Sequence, residues 1–552
     1  MRKITLMLMT FLASGEGFTH LSPWRQLAIA PLSQHRPLSR IAATSEGYAE
    51  EESDESSEDE VDGNDILQDT RFRTEFSAFA QASLVGIMAG YSVGAFKLSI
   101  DALRRFTYDS TLLEHGPQLL LLPLIPAAGG IAVGLLSLFG AFPPGLRGTV
   151  VSVDKQAASD VSEPSQRRLD FLRKTIAAVC TLGTGCSLGP EGPSVEIGMA
   201  MGTNIIRFPS GMDKNARRDR SRLLLACGAA AGVSAGFNAP IAGVFFALEI
   251  VQGAFRAGLG KQETVATASP GNMSAILISS VLSALTAKNV LGDHAVFELS
   301  AYTLPTPFSE LPLYLMLGAV SGIVAFVFSE AAKISKSLFD GQMGPTTLRQ
   351  FARNLPNSIK PMIGGLFCGI VGLSFPQILF FGYETLNGLL ANSSLPLSVT
   401  LSLIAVKIIT SAVSAGSGLV GGTFAPSLFL GGMVGASFHN IMEWFFQIAK
   451  IPEILTAAGT PIFQLADVPA YAMVGSASVL AALFRAPLTA SLLLFELTRD
   501  YDVILPLMAS AGVGSLVSDV VEQKFQQQPR DEDSVSWGDL SDKADEKELS
   551  NN

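Results

Sequence analysis

The chain has 552 residues, of which 48% are hydrophobic and 16% are charged, and its mean hydropathy is +0.37. Soluble globular domains carry about 25% charged residues, so the composition predicts a polytopic membrane protein and excludes an ordinary soluble domain. The net charge of −11 comes from two segments, residues 46–65 with eleven acids and residues 531–552 with eight. Nothing in this charge pattern supports binding to nucleic acid.

The N-terminal residues 1–45 are typical of a targeting presequence. A basic MRK start precedes the apolar run ITLMLMTFLA, which is too short to span a bilayer, and residues 18–45 contain no acid. A signal followed by a transit-like segment resembles the two-part presequence of algae with secondary plastids, and it predicts a chloroplast membrane, either thylakoid or envelope. A plain secretory signal or an uncleaved start, with an endomembrane location, is the alternative.

Acidic segments flank the apolar part of the chain. Residues 46–70 and 526–552 are too polar to bury a core, so we predict a disordered linker and a disordered tail. Residues 71–525 are predicted to form an all-α transmembrane domain. Its apolar segments are interrupted by Gly and Pro, which predicts many tilted, broken and re-entrant helices. These segments cover about 76–100, 118–140, 171–188, 221–257, 270–290, 311–334, 359–382, 396–446 and 468–519.

The transmembrane part repeats itself, with halves at about 71–290 and 311–525. GPEGPSVEIGMAMG begins at Gly189, and GTFAPSLFLGGMVG begins at Gly422 with Gly, Pro and Ser at matching positions. FNAPIAGVFFALE and FRAPLTASLLLFE then follow in the two halves, and each ends in a glutamate, Glu249 or Glu496. Two motifs in the same order predict a transporter or channel whose substrate site lies between the repeats.

The GPEGP stretch indicates an anion site. Pro193 and Pro426 are expected at helix starts, where a missing N–H costs nothing. Helices that begin inside the membrane would direct free N–H groups and positive dipole ends at one central spot. Glu191 is then a tethered competitor of the anion and a gate that protonation opens. A helix-capping role for Glu191 is the alternative, and Glu196 is expected to serve packing or an internal hydrogen bond.

These motifs resemble the CLC family of voltage-gated chloride channels and anion/proton exchangers, over about residues 74–520. GPEGP resembles the family's gating-glutamate motif, and FNAPIAG, FGYETL and SAGSGLVGGTFAPSLFLGG are also similar to family wording. The resemblance implies the CLC-type inverted repeat, a homodimer in the lipid bilayer with one pore per subunit, and protons acting at Glu191. It implies anion-binding positions at Pro144, Gly145, Leu146, Gly189, Pro190, Gly192, Gly422, Thr423, Phe424 and Ala425.

Three departures from the family pattern bear on function. PPGLRG at 143–148 stands where Gly-Ser-Gly-Ile-Pro is expected, with Pro144 at the serine position, as in nitrate-preferring relatives, so chloride and nitrate both stay open. Ile250 occupies the position at which exchangers carry a proton-accepting glutamate, which favours passive, channel-like conduction over the alternative, an anion/proton exchanger. Neither the last helix with its pore-lining tyrosine nor the cytoplasmic CBS pair is recognisable after Phe525.

Two other classes of protein fit the sequence less well. A membrane-embedded enzyme lacks support, because two of the five histidines fall in the presequence and GTGCSLG has no Gly-Lys-Ser/Thr ending. We therefore predict no metal, no cofactor and no catalytic residue. A purely structural membrane protein would not need Glu191 or paired helix starts.

Overall fold

The structure, a computed structural model, describes residues 63–109, 122–158, 165–205, 214–251, 253, 270–292, 297, 299, 302, 310–393, 395–449 and 465–526. The predicted presequence and nearly all of the predicted acidic tail lie outside these residues. The described residues form 17 α-helices and contain no β-strand, which confirms the predicted all-α fold.

The first half of the transmembrane domain contributes eight helices. They are α1 (Gly63–Arg104), α2 (Leu124–Ser137), α3 (Leu146–Ala158), α4 (Ser165–Gly183), α5 (Glu191–Ile205), α6 (Lys214–Phe237), α7 (Pro240–Phe246) and α8 (Pro270–Leu291). Helix α1 begins at Gly63, so residues 63–70, which were predicted to belong to the disordered linker, are helical. Neither Gly nor Pro occurs between Asn64 and Glu75 to end the helix there.

The second half contributes nine helices. They are α9 (Leu311–Phe339), α10 (Thr346–Asn354), α11 (Lys360–Ser374), α12 (Tyr383–Leu390), α13 (Leu397–Gly416), α14 (Phe424–Ile448), α15 (Val468–Phe484), α16 (Pro487–Thr498) and α17 (Ile504–Gln526). A short 3-10 turn at Pro376–Ile378 lies between α11 and α12, and π-helical turns follow α1 and α7 at Arg105–Asp109 and Ala247–Val251.

Helix length separates two groups within the described part of the chain. Five helices are long and apolar enough to cross a membrane: Glu75–Tyr108, Gly271–Leu291, Leu311–Phe339, Leu397–Gly416 and Ile504–Phe525. Other apolar helices have only 10–17 residues, fewer than the roughly 20 that a full span needs. This mixture matches the predicted broken and re-entrant helices.

Glycines repeated between the two halves are points of close helix packing. Helix α5 packs on α6, and α14 packs on α15. A Cβ atom added at Gly198 would lie closer than 3.0 Å to the carbonyl oxygen of Gly228, and one at Gly431 would lie equally close to that of Gly475. Small residues let helix backbones approach in this way, which explains why both motifs have Gly at the same spacing.

The close contact at Gly431 gives a stability prediction. We expect Gly431→Ala to lower the free energy of unfolding by about 1–3 kcal/mol or more, because rigid backbone must move apart. Gly512→Ala is the matched control, since an added Cβ there meets nothing within 4 Å and Ala favours the helix. Thermal unfolding of the detergent-solubilised variants measures both, and equal melting temperatures would contradict the packing argument.

Candidate anion site

The two repeat motifs meet directly at Gly189 and Gly422. These residues form an isolated antiparallel bridge, in which each backbone N–H donates to the other residue's carbonyl at 2.7 Å. A Cβ atom at Gly192 would lie 2.9 Å from the Cα atom of Gly422, so the two turns touch backbone to backbone. A Cβ atom at Gly189 would lie 2.9 Å from the Cβ atom of Ala425. Four of the residues predicted to bind an anion, these three and Ala425, therefore lie in one small region.

Helices α5 and α14 both begin at this junction. The structure corrects their predicted starts, because α5 begins at Glu191 and α14 at Phe424, two residues before Pro193 and Pro426. Proline fits this first turn because the first N–H groups of a helix have no partner within the helix. Glu191 is thus the first residue of its helix rather than part of the turn before it.

Glu191 is buried, with 3% of its surface exposed. Its Oε1 atom accepts a hydrogen bond from the hydroxyl of Tyr383, and Oε2 has no hydrogen-bond partner of ordinary geometry within the described part of the chain. Oε2 and the start of α14 both lie close to Gly189. A Cβ atom built on Gly189 would be closer than 3.0 Å to Oε2 and 3.2 Å from the backbone nitrogen of Ala425 in α14. The amide of Ala425 acts electrostatically on this carboxylate.

Tyr383 and Lys97 belong to the surroundings of Glu191, although neither is predicted from the sequence to have a role there. Tyr383 is the first residue of α12. Lys97 of α1 acts on Glu191 through its charge and donates to the carbonyl of Gly236. A lysine within the apolar segment 76–100 was a visible signal for a buried partner, whereas Tyr383 stood out only as part of FGYETL.

Phenylalanine rings fill the space around the start of α14. The ring of Phe424 lies 4.0 Å from that of Phe484, and 6.0 Å from those of Phe237 and Phe246, measured between ring centroids. Phe237 and Phe484 open the repeated FNAP and FRAP motifs, so each of these motifs places a ring next to Phe424. The site combines backbone N–H groups with apolar walls, which is a setting for a weakly held anion.

The glutamates at the ends of the repeated motifs, Glu249 and Glu496, each cap the start of a helix in the opposite half of the chain. Glu249 accepts hydrogen bonds from the backbone of Leu488 at 3.1 Å and of Thr489 at 2.7 Å, at the start of α16. Glu496 accepts from the backbone of Ile241 at 2.9 Å and of Ala242 at 2.7 Å, at the start of α7. Each carboxylate thus satisfies first-turn N–H groups of the opposite half, which gives Glu249 the structural role expected from Glu496.

The turn that contains Pro144 and Gly145, just before Leu146 begins α3, is anchored by Lys174. Its Nζ atom donates to the carbonyl of Pro143 at 2.8 Å and lies 3.0 Å from Oε2 of Glu196 on α5. This ion pair is largely buried, and it joins the turn to the helix that carries Glu191. Glu196 therefore makes the internal contact that was predicted for it.

Comparison with known proteins identifies the family. A family model described as voltage-gated chloride channel matches residues 129–519, which is more than half of the chain. The chain belongs to this family, the CLC family. Its members are channels or transporters, so the chain is not an enzyme.

Individual relatives agree with this assignment. The chain is 36% identical over 456 residues to the chloride channel protein CLC-e of Arabidopsis thaliana, covering 80% of this chain and 59% of that protein. It is 30% identical over 443 residues to the H(+)/Cl(−) exchange transporter ClcA of Vibrio cholerae, covering 80% of this chain and 86% of that protein. The crystal structure of a slow cyanobacterial Cl−/H+ antiporter matches with a TM-score of 0.64 and 23% identity, covering 82% of this chain and 99% of that one.

Ile250 was predicted to stand where exchangers carry a proton-accepting glutamate. It lies in the π-helical turn Ala247–Val251 and packs, partly buried, against buried hydrophobic residues of the protein core. The carboxylate of the neighbouring Glu249 accepts backbone hydrogen bonds from the start of α16. An isoleucine cannot accept a proton, so this turn of the CLC fold provides no free carboxylate.

Proposed function

We propose that this CLC protein moves anions, chloride or nitrate, across a membrane past the junction of Gly189 and Gly422, with Glu191 as the gate. The observation that supports this most is the position of the Glu191 carboxylate, which is buried beside the start of a helix from the other half of the chain. When ionised, this carboxylate would hold a negative charge in the place that backbone N–H groups prepare for an anion. Protonation would remove its attraction to these helix ends and free the path.

The chemistry of the site suits rapid passage. Backbone N–H groups at Thr423, Phe424 and Ala425, at the start of α14, offer partial positive charge without an Arg or Lys side chain from this turn. Conduction requires binding that is favourable enough for entry and weak enough for exit. On the side of the first half, the segments Gly189–Gly192 and Pro144–Leu146, each a turn followed by the first residues of a helix, complete the proposed anion-binding set.

We favour channel-like, passive conduction over exchange with protons. The supporting observations are the apolar Ile250 and the engagement of Glu249 as a helix cap, which leave no proton relay on that turn. An anion/proton exchanger is the second candidate, because several relatives at 28–30% identity are named exchange transporters.

One liposome experiment distinguishes these modes. Purified protein is placed in liposomes with an imposed chloride gradient and no proton gradient, and chloride efflux and proton movement are recorded together. We expect chloride efflux above that of protein-free liposomes, without uphill proton movement. Stoichiometric proton uptake would make the protein an exchanger, and no anion flux at all would overturn the proposed function.

Selectivity is expected to depend on Pro144. Proline lacks both an N–H and a hydroxyl group, so it offers the anion less than serine would. We expect Pro144→Ser to shift the preference from nitrate towards chloride by several-fold, measured as the ratio of the two efflux rates. Pro143→Ser on the same turn is the control. A ratio unchanged by Pro144→Ser would show that another segment fills this place.

Assembly and location form the last part of the proposal. The family resemblance supports a homodimer with one path in each subunit, and the character of residues 1–45 supports a chloroplast membrane, with an endomembrane as the alternative. Cross-linking in membranes and the location of a fluorescent fusion test these two points separately.

A further inference from the structure

Tyr383 provides the side-chain hydrogen bond that holds the Glu191 carboxylate. Its hydroxyl donates to Oε1 of Glu191 although the two residues are 192 positions apart in the chain. A hydrogen bond to an ionised carboxylate is about twice as strong as one between neutral groups. The bond therefore favours the charged, blocking form of Glu191 over the protonated form.

The tyrosine ring is fixed in its place. It meets Phe297 edge-on with 5.4 Å between ring centroids, and Phe381 at 5.7 Å. Gly382, with a φ of +81°, turns the chain immediately before Tyr383. A fixed ring loses little further freedom when its hydroxyl engages Glu191, which makes the hydrogen bond more effective.

The segment that leads into Tyr383 is tied to the loop that leads into Glu191. Lys407 of α13 is fully buried, and its Nζ atom donates to the carbonyls of Ile378 at 2.9 Å and Phe380 at 3.3 Å. The backbone N–H of Phe380 donates to the carbonyl of Gly185 at 3.2 Å. The distance between the phenol and the carboxylate is thus set by the backbone on both sides.

We propose that Tyr383 is a positioning residue that latches Glu191 in the blocking position and sets the pH at which the gate opens. This inference rests on the proposed function of Glu191. Because a phenol is uncharged, it holds the carboxylate without adding a positive charge that would trap the anion. Lys97 from α1 is the charged group that also acts on Glu191, and the start of α14 at Thr423, Phe424 and Ala425 brings no titratable side chain.

Tyr383→Phe tests the latch, because it keeps the ring and removes only the hydroxyl. Without the donor, the ionised carboxylate is less stable, so Glu191 takes up its proton at higher pH. We expect the midpoint of acid-activated anion flux to move to higher pH by about one unit. In a Glu191→Gln background, Tyr383→Phe is expected to change nothing.

Tyr302→Phe serves as the control, since that tyrosine is bonded to Asp500 instead. If Glu191→Gln removes the pH response but Tyr383→Phe leaves the midpoint unchanged, the proposed role of Tyr383 is wrong, whereas Glu191 remains the gate. If Glu191→Gln keeps the full pH response, the proposed function of Glu191 fails instead. Elution of each variant as folded protein is checked before flux is measured. Should Tyr383→Phe fail to fold, the pKa of Glu191 in the wild-type protein, followed by the infrared carboxyl band against Glu191→Gln, is the second measurement, and a carboxyl band that does not change when the tyrosine hydroxyl is deuterated would contradict the latch.

Discussion

Glu191→Gln should produce anion flux that no longer responds to pH. The amide resembles the protonated carboxyl in shape and lacks the charge that competes with the anion for the helix start. Flux at neutral pH is expected to rise several-fold or more over that of the wild-type protein, and Glu191→Ala should behave in the same way. Efflux from liposomes, measured across a range of external pH, gives the result.

Glu384→Gln is the matched control for this experiment. Glu384 lies next to Tyr383 on α12, but its side chain is 80% exposed and paired with Arg104. It should keep the pH response of the wild-type protein. If both Glu191 variants also keep that response, Glu191 is a helix cap, the alternative reading of its position.

Glu249→Ala should destabilise the whole fold. Its carboxylate accepts two backbone N–H groups and the hydroxyl of Thr489, the last at 2.6 Å. Removing it leaves first-turn donors of α16 without partners, and hydrogen bonds to charged groups are worth about 1.5–3 kcal/mol each. We expect a loss of about 3 kcal/mol or more in the free energy of unfolding, seen as a lower melting temperature in detergent.

The reciprocal geometry sharpens this prediction. Glu496→Ala should cost a similar amount, since it frees the N–H groups of Ile241 and Ala242 at the start of α7. Glu249→Gln should cost less, because the amide keeps one acceptor oxygen. Glu384→Ala, at an exposed ion pair, should cost less than about 1 kcal/mol. If Glu249→Ala and Glu496→Ala both kept the melting temperature of the wild-type protein, the capping role of these two glutamates would be wrong.

Much of the fold can be predicted from local sequence motifs that occur once in each half of the chain. Shared Gly and Pro positions predicted two helices that start at one junction, and the structure pairs Gly189 with Gly422 there. The observed helix starts lie two residues before the predicted ones. Proline is tolerated throughout the first turn of a helix, so its position does not mark the first residue. Residues 63–70 were predicted to be disordered from the acidic composition of residues 46–70. They are helical, because no Gly or Pro occurs between Asn64 and Glu75 to interrupt the helix.

The partners within the site could not be predicted, because they depend on distant contacts. Tyr383 reaches Glu191 across 192 residues, and Glu249 reaches Thr489 across 240. Spacing along a chain predicts which face of a helix a residue occupies, but it does not predict which of several distant segments packs there. The sequence identified Glu191 because a carboxylate between Gly and Pro is unusual, whereas a partly buried tyrosine is not.

Chloride binding to the purified protein tests most directly whether the Glu191 carboxylate occupies the anion site. Isothermal titration calorimetry at neutral pH compares the wild-type protein with Glu191→Gln. If the carboxylate competes with the anion at the start of α14, the Gln variant should bind chloride several-fold more tightly, and acidification should bring the wild-type affinity towards that of the variant. Equal affinities at neutral pH would contradict the account, because they would place the carboxylate and the anion in different sites.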